Sequence, residues 1–286
     1  MMLLEIFAGR FMLLVVIGKG ERSSARMKLF LGCVLPALAM GLAGCNQEAD
    51  RVVEQTFDQT LQVEPNARIS VKNVDGSIRI YGADTREVKI EAIKKAYSRE
   101  RLEKIGINVA ARPNSVSIDT IYPPKPKLGL ADRSGTVDYI IVVPRTCAIP
   151  RLELSSGEIL IEGLRGGQVT ANLVNGRLVD HNCFGTHQLF VASGNMDIAY
   201  EWWEEGEFSV DAKIVNGNIR AFIPGEAAFH LIATTVDGSI SNDFTDQKER
   251  QSGRVQKIDT AVGDPSQVVI KIHTTDGNIK ITEYNP

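Results

Sequence analysis

Hydrophobic and polar residues alternate with a period of two along most of the chain beyond residue 55, as in Ile78-Arg79-Ile80. Such alternation places successive side chains on opposite faces of a strand. Residues 137–143 form an almost continuous apolar run, which predicts a strand that ends at Pro144. Residues 98–104 favour one or two helical turns. The pattern therefore predicts an all-β protein.

A short pattern with a central glycine recurs seven times. In every copy, Asp, Asn or Ser precedes the glycine, and Ile, Leu or Met stands two residues after it. The glycines of the seven copies are Gly76, Gly157, Gly176, Gly194, Gly217, Gly238 and Gly277. Glycine adopts positive φ at no steric cost, and Asn or Asp tolerates the left-handed backbone. Each copy therefore predicts a turn followed by a strand.

The spacing of the copies indicates how the strands are arranged. From Gly157 onward the glycines are 19, 18, 23, 21 and 39 residues apart, and we interpret the last gap as two units with one degenerate copy. Weaker turn signals, such as Gly185 and Gly206, fall between most copies. An antiparallel meander or sandwich is one interpretation, since Asn-Gly and Asp-Gly are strong hairpin signals. A parallel β-helix-like solenoid with about 20 residues per coil explains better why every second turn is the strict one.

The pattern divides the chain into four segments. Residues 1–44 form a leader, residues 45–54 a polar tether, residues 55–149 a less regular N-terminal β region, and residues 150–286 the β-solenoid repeats. A solenoid leaves unpaired strand edges at its two ends. We expect the N-terminal β region to cap one of them.

The leader has the features of a bacterial lipoprotein signal peptide. An apolar run at residues 29–42 ends in Leu42-Ala43-Gly44-Cys45. The run is shorter than the roughly 20 residues that a membrane-spanning helix needs, and it suits a signal peptide core. Its end resembles a lipobox, which implies cleavage between Gly44 and Cys45 and lipidation of Cys45. An ordinary signal peptide with a chance cysteine is the alternative.

Two further features concern where the chain starts and where it is sorted. Residues 1–26 carry a second apolar run ahead of the signal, so Met27 is an alternative start. Asn46 follows the cysteine, and by resemblance to enteric lipoproteins the absence of Asp there implies sorting to the outer membrane. We expect an extracytoplasmic protein of the bacterial cell envelope, lipid-anchored at the outer membrane or cell surface rather than the inner membrane.

The charge of the chain narrows the class of partner. The whole sequence has 32 basic and 35 acidic residues, a net charge of −3. Without residues 1–44 it has 27 basic and 33 acidic residues, a net charge of −6. A nucleic-acid-binding protein usually carries a basic patch or a basic total charge. We therefore predict no nucleic-acid partner.

His181, Cys183 and His187 lie within seven residues of one another. Imidazole and thiolate are zinc ligands, but a structural zinc site needs a fourth ligand and the neighbouring sequence offers none. We interpret the segment as a turn between strands and predict no cofactor. Cys147 and Cys183 would lie about 9–10 Å apart in a stack of coils, too far for a disulfide, so we expect two buried free thiols.

Trp202 and Trp203 are the two tryptophans of the chain, and four Glu residues surround them at residues 200–208. They fall in the 23-residue gap, where a loop can bulge from the stack. Exposed tryptophans stack on sugars and form protein hot spots. Trp202 and Trp203 are therefore candidate contacts for a glycan or protein partner. Alternatively, one packs inward and the other covers a coil edge.

The sequence contains no nucleophile elbow of the type Gly-x-Ser-x-Gly, no Walker loop and no dinucleotide fingerprint. We therefore predict a non-catalytic protein. One competing class is an envelope enzyme that acts on polysaccharide on a β-helix scaffold. It would show a row of carboxylates with Lys or Arg along one stacked face. A structural or signalling subunit of the envelope is a third possibility.

The recurring Val-Asn-Gly-x-Ile and Val-Asp-Gly-x-Ile units, together with residues 71–82 and 137–144, resemble a known family. It is the "putative adhesin" family, a domain of unknown function in bacterial envelope lipoproteins. The similarity covers residues 55–286. It implies an extracytoplasmic β-solenoid-like fold and an adhesin-like surface role, with no catalytic residue set. We therefore predict a lipid-anchored protein that binds an unknown envelope protein or glycan.

Overall fold

The computed structural model describes residues 52–124, 135–244, 250–264 and 267–284. The leader, the cleavage site at Gly44, the lipidation site at Cys45 and most of the tether lie outside the described residues. None of the helices in the described part of the chain is long and apolar enough to cross a membrane.

The described residues form sixteen strands and one short helix. In chain order they are β1 (Val53–Gln62), β2 (Arg68–Ala83), β3 (Glu87–Ala96), α1 (Arg99–Lys104), β4 (Gly106–Arg112), β5 (Ser115–Ile121), β6 (Thr136–Pro144), β7 (Ala148–Glu162), β8 (Arg165–His181), β9 (Phe184–Ala199), β10 (Ser209–Pro224), β11 (Phe229–Asp237), β12 (Ile240–Asn242), β13 (Arg250–Ser252), β14 (Val255–Val262), β15 (Val269–Asp276) and β16 (Ile279–Tyr284). The helix matches the helical turns predicted at residues 98–104.

The long strands stack in parallel, which confirms the solenoid and excludes the meander for this part of the chain. Strands β2, β7, β8, β9 and β10 are neighbours in that order, and each pair is parallel. The register places Gly157 between Gly76 and Gly176, and Gly194 between Gly176 and Gly217. The repeated glycines therefore form a column along the stack, as the spacing predicts.

Five of the repeated glycines lie inside strands and do not end them, which differs from the predicted turn between two short strands. Gly238 and Gly277 do separate two short strands, β11 from β12 and β15 from β16. Gly176 stands within β8, and the parallel ladder continues on both sides of it. Its φ is +137°, so the strand bends there without losing its neighbours. A Cβ at Gly176 would lie 1.9 Å from the carbonyl oxygen of Gly157. Close packing of successive coils and positive φ therefore both require glycine at this bend.

The last coils do not follow the order of the sequence. Strands β15 and β16 pair with β10 on one side and with β11 and β12 on the other, so the final coil is inserted ahead of the preceding one. The 39-residue gap between Gly238 and Gly277 contains strands β13 and β14, which form an antiparallel hairpin. The prediction of a degenerate coil in that gap is wrong. Strand β14 of the hairpin pairs with the outer edge of β11. The chain then returns, and β15 pairs with the inner edge of β11.

Antiparallel strands lie at both ends of the stack. At one end, β5 and β6 pair in parallel with the two arms of β2, and β3 and β1 extend this layer in antiparallel fashion. At the other end, β14 and β13 pair antiparallel beyond β11. The first glycine bend, Gly76 in β2, thus belongs to the stack although it lies in the predicted N-terminal β region. Such end layers protect the edges of a solenoid from further pairing.

Rows of aliphatic side chains fill the interior of the coils. The residue two positions after each glycine points inward and is buried, which explains the fixed Ile, Leu or Met of the repeat. The row consists of Ile78, Ile159, Leu178, Met196, Ile219, Ile279 and Ile240. Burial of each such side chain contributes about 1.5–3 kcal/mol.

Candidate functional site

Two polar residues interrupt the aliphatic rows inside the stack. Asp180 of β8 pairs with Ile161 on one side and Ile198 on the other, in a row that is otherwise apolar at this level. His187 of β9 stands between Val169 and Val210. Asp180 and His187 are each only 1% exposed. Burial of polar groups is costly unless they find partners, so this part of the core differs from the rest.

The two polar side chains bind each other. The Oδ2 atom of Asp180 lies 2.8 Å from Nδ1 of His187. The other oxygen of Asp180, Oδ1, and the other ring nitrogen of His187, Nε2, are buried and have no hydrogen-bond partner among the described residues. Next to Nε2, Gly185 has no side chain, and a Cβ there would lie 3.2 Å from this nitrogen. The pair therefore leaves one acceptor and one ring nitrogen unused.

Cys183 and Tyr200 complete this buried polar cluster. The Sγ atom of Cys183 donates a hydrogen bond to the carbonyl oxygen of His181 at 3.2 Å. Burial, reinforced by the carboxylate of Asp180, raises the pKa of the Cys183 thiol well above its ordinary value. Burial and the same carboxylate also raise the pKa of Tyr200, whose hydroxyl has no hydrogen-bond partner among the described residues.

One ligand atom each from Asp180, Cys183 and His187 lies within 4.8 Å of the other two. The structure therefore brings together Cys183 and His187 of the predicted group but replaces His181 with Asp180. The side chain of His181 is 23% exposed and lies near Glu162 and Glu201 instead. Sequence reasoning missed Asp180. Strand alternation is the signal that could have found it, since Asp180 stands two residues after the inward-facing Leu178 in β8 and therefore points to the same face.

The loop at residues 200–208 separates the roles of the two tryptophans. Trp203 packs into the core, with its ring centroid 5.4 Å from that of Tyr200 and 5.2 Å from that of Phe208. Trp202 is 43% exposed. This arrangement matches the alternative in which one tryptophan packs inward and the other covers an edge, and it narrows the candidate contact to Trp202.

Charged neighbours hold the indole of Trp202 in place. Its Nε1 donates to Oε1 of Glu204 at 3.1 Å, and Arg165 forms a 2.8 Å salt bridge with the same oxygen. The Arg165 guanidinium lies 4.5 Å from the ring centroid of Phe184 and 5.8 Å from that of Trp202. We call Trp202, Glu204 and Arg165 the Trp202 platform. It presents an aromatic ring with a carboxylate and a guanidinium fixed at its edge.

An acidic cavity of about 700 Å³ is lined in part by the same loop. Trp203 forms part of its wall, and its acidic lining residues are Glu205, Glu207, Glu226 and Asp264. The cavity is open to solvent, and its lining does not include the residues of the Trp202 platform.

A row of alternating charges crosses the outer face of the coils. Arg177 donates to Asp197 from Nε at 2.8 Å and from Nη2 at 2.6 Å. Arg220 donates to the same carboxylate at 2.6 and 3.0 Å. Burial raises the pKa of Asp197, but the hydrogen bonds from Arg220 and Arg177 outweigh burial and hold the pKa below its ordinary value. At the β2 end of this row, Nη2 of Arg79 lies 3.7 Å from Oε1 of Glu158.

The chain matches a protein-family model described as Toastrack DUF4097 over residues 65–282. All seven glycine bends fall within these residues. The match confirms the family resemblance that the repeated units predict. No curated protein sequence matches the chain significantly.

The chain also matches solved structures at low sequence identity and low TM-score. A "putative cell adhesion protein" from Clostridium sporogenes is 14% identical, with a TM-score of 0.40 and coverage of 80% of this chain and 100% of that chain. A "putative adhesin" from Bacteroides fragilis is 11% identical, with a TM-score of 0.26 and coverage of 80% and 97%. A "putative lipid binding protein" from Parabacteroides distasonis is 11% identical, with a TM-score of 0.20 and the same coverage.

Proposed function

The chain belongs to the Toastrack DUF4097 family, and we propose that it is a non-catalytic, lipid-anchored binding protein of the cell envelope whose Trp202 platform contacts a glycan. The observation that carries the proposal is the exposed indole of Trp202 between a fixed carboxylate and a fixed guanidinium. The remaining paragraphs give the support for each part of this proposal.

The chemistry of the platform suits a sugar. The apolar face of a sugar ring stacks on an indole, and its hydroxyl groups bond to charged side chains at the edge of the aromatic ring. The Glu204 carboxylate accepts such bonds and the Arg165 guanidinium donates them. Glu201, Glu205 and Glu207 add negative charge nearby, which favours a neutral glycan over a phosphate-rich one. A protein partner would require a wider apolar surface around the ring than these residues provide.

Anchoring at Cys45 is supported by the lipobox-like sequence Leu42-Ala43-Gly44-Cys45. Strand β1 begins at Val53, so few residues separate the proposed lipid from the fold. Seven extended residues span at most about 25 Å. Lipid attachment at Cys45 would therefore hold the first strand close to the membrane surface.

A second candidate function, an enzyme that acts on polysaccharide, is favoured by one observation. The predicted row of carboxylates and arginines on one stacked face is present at Glu158, Arg177, Asp197 and Arg220. Its central carboxylate, however, accepts four hydrogen bonds from two arginines and has a lowered pKa. Such a group is a poor general acid, because it stays ionised, and a poor nucleophile, because its oxygens are occupied. We therefore assign the row to holding the coils together.

Binding of soluble cell-wall glycan fragments, measured by isothermal titration calorimetry, tests the platform. We expect Trp202→Ala to weaken binding at least tenfold, roughly the loss of one stacking contact. Phe190→Ala is the matched control, because Phe190 is a comparably exposed aromatic residue on β9 outside the loop. Equal binding by the Trp202→Ala variant and the unaltered protein would contradict the glycan site. Hydrolysis of the fragments that stops in an Asp197→Asn variant would favour the enzyme.

Incorporation of a labelled fatty acid tests the anchor separately. We expect Cys45→Ser to abolish incorporation and release the protein from envelope membranes. Cys33→Ser is the matched control, because Cys33 lies within the apolar run of the leader and should leave lipidation intact. Labelling that persists in the Cys45→Ser variant would contradict lipidation at this residue.

A further inference from the structure

We infer that Asp180, Cys183 and His187 form a buried Zn²⁺ site that links two successive coils of the solenoid. The inference is independent of the Trp202 platform and of the lipid anchor. It rests on the position of the three residues, on unused polar atoms and on the chemistry of the donor set.

The position of the three residues is the first argument. In the neighbouring coils, the position of Asp180 is occupied by Ile161 and Ile198, and the position of His187 by valines. A carboxylate and an imidazole at such positions weaken the core unless they serve another purpose. They lie on consecutive strands, β8 and β9, and Cys183 stands in the turn between these strands. The chain thus brings three ligand types together over eight residues.

The unused polar atoms are the second argument. Asp180 Oδ1, His187 Nε2 and the Tyr200 hydroxyl have no hydrogen-bond partner among the described residues, although each of these residues is almost fully buried. Buried polar atoms nearly always have partners, so three unpartnered atoms in one cluster indicate a missing ligand. The ring centroid of Tyr200 lies 5.2 Å from that of Phe184, the residue that follows Cys183, so Tyr200 packs beside the same turn.

The donor set is the third argument. Zinc binds thiolate, imidazole nitrogen and carboxylate oxygen at about 2.0–2.3 Å, which places its ligand atoms about 3.3–3.8 Å apart. The ligand atoms here lie within 4.8 Å of one another, so a modest inward movement is enough. Calcium and magnesium require six or more oxygen ligands, which this cluster does not offer.

Charge balance also favours zinc in this interior. A thiolate and a carboxylate neutralise the two positive charges of Zn²⁺, and the imidazole binds as a neutral ligand. Binding breaks the S–H bond of Cys183, forms the Zn–S bond and releases the proton to solvent. A water molecule or the Tyr200 hydroxyl can complete the coordination. The metal would connect β8 and β9 in addition to the backbone ladder that already joins them.

Metal content and cobalt substitution test the site on the full chain solubilised in detergent. We expect one zinc per chain by elemental mass spectrometry, and a thiolate-to-cobalt absorption band when Co²⁺ replaces zinc. The variants Asp180→Asn, Cys183→Ser and His187→Asn should each lower zinc affinity by more than roughly 100-fold, beyond the loss that changes around a metal site usually cause. Cys183→Ser should also remove the cobalt band.

Three control variants separate this site from its alternatives. His181→Asn tests the grouping suggested by the sequence and should leave zinc affinity unchanged. Cys147→Ser removes the other buried thiol and should keep the cobalt band. Trp202→Ala should not affect zinc, because its ring belongs to the platform.

Several outcomes would overturn the inference. One is an absence of both zinc and the cobalt band in the unaltered protein. The other is an equal loss of zinc affinity in the His181→Asn and His187→Asn variants. Because the unaltered protein supplies the first of these results, the test remains decisive even if a variant fails to fold. Zinc-free protein with an intact fold would mean that Asp180 and His187 form a buried hydrogen-bonded pair only.

Discussion

Each coil of this protein has a glycine bend and an inter-coil turn that leads to the next coil. The bend lies within one long strand in β2, β7, β8, β9 and β10, and between two shorter strands at Gly238 and Gly277. The glycine bends are alike in every coil, because each lies against the backbone of a neighbouring strand or bend. The inter-coil turns differ. Two of them are short, at residues 163–164 and 182–183, and one is a long loop at residues 200–208. The repeated bends set the architecture, and the variable turns carry the candidate sites.

The glycine bends and the inter-coil turns differ because the backbone is packed more tightly at the bends. At a bend, the backbone of one coil packs on the backbone of the next, so any side chain clashes. At an inter-coil turn, successive coils are held by backbone hydrogen bonds such as that from Phe184 to Leu164, and side chains are free to vary. Asp180, Cys183, His187 and Trp202 all lie in or beside these turns. Substitutions at the inter-coil turns can therefore change the candidate sites while the stacked coils keep their arrangement.

The largest expected effect comes from adding a methyl group at a bend. Gly176→Ala should destabilise the protein by about 4 kcal/mol or more, because the new Cβ would meet the carbonyl of Gly157 at 1.9 Å and φ is +137°. Gly206→Ala is the control at a turn, where φ is also positive but nothing lies within 4 Å of the added Cβ. It should cost about 1–3 kcal/mol. Urea unfolding measures the free energy of unfolding of both variants. Equal losses of stability in the two variants would contradict the proposed difference between bends and turns.

The next effect tests the buried polar pair in metal-free protein. His187→Val should cost about 3 kcal/mol, because it leaves the Asp180 carboxylate buried without its partner. The double variant Asp180→Ile with His187→Val continues the aliphatic rows and should recover at least the stability of the unaltered protein. Chemical unfolding in the presence of a chelator provides the measurement. A double variant as unstable as the single variant would mean that this turn tolerates no aliphatic filling.

A smaller effect separates the two tryptophans. Trp203→Ala should cost about 2–3 kcal/mol, somewhat below the range for a fully buried aromatic residue, since Trp203 contacts Tyr200, Phe208 and Phe229 but is only partly buried. Trp202→Ala should cost less than about 1 kcal/mol, because its ring is exposed and its loss leaves no cavity. Thermal unfolding compares them. Similar losses in both variants would show that Trp202 also supports the fold.

The smallest effect concerns the charged row on the outer face. The folded pKa of Asp197 is lowered relative to its ordinary value, so its contribution to stability is present above about pH 4 and is lost as the pH falls through the folded pKa. We expect the unaltered protein to lose about 1 kcal/mol more than Asp197→Asn over this acidic range, because both arginines are half exposed and solvent weakens the pairing. Urea midpoints measured against pH give the result. Parallel curves for the two proteins would show that the row adds no stability.

The sequence predicted the repeated part of the fold well and the order of its last coils poorly. The fixed glycine and the aliphatic residue after it are local requirements, so the pattern alone revealed the column of bends. The insertion of β15 and β16 beside β10 depends on which strand edge remains free after the β13–β14 hairpin pairs with β11. No local pattern records that choice.

The candidate sites divide in the same way. Trp202 and the pair Cys183 and His187 were identifiable from residue type and spacing. The exchange of His181 for Asp180, and the inward packing of Trp203, depend on the face to which each strand or loop position points.

The sequence by itself determined the repeated glycines and the inward-facing aliphatic rows, because glycine sterics and period-two burial act over a few residues, and it favoured the solenoid over the meander. Only the tertiary structure decided which polar residues meet inside it. Asp180 and His187 belong to successive strands and come within 2.8 Å only when those strands close around a common interior. Contacts across the interior of a coil depend on the register of whole strands, and that register is set by the stacking of the glycine bends.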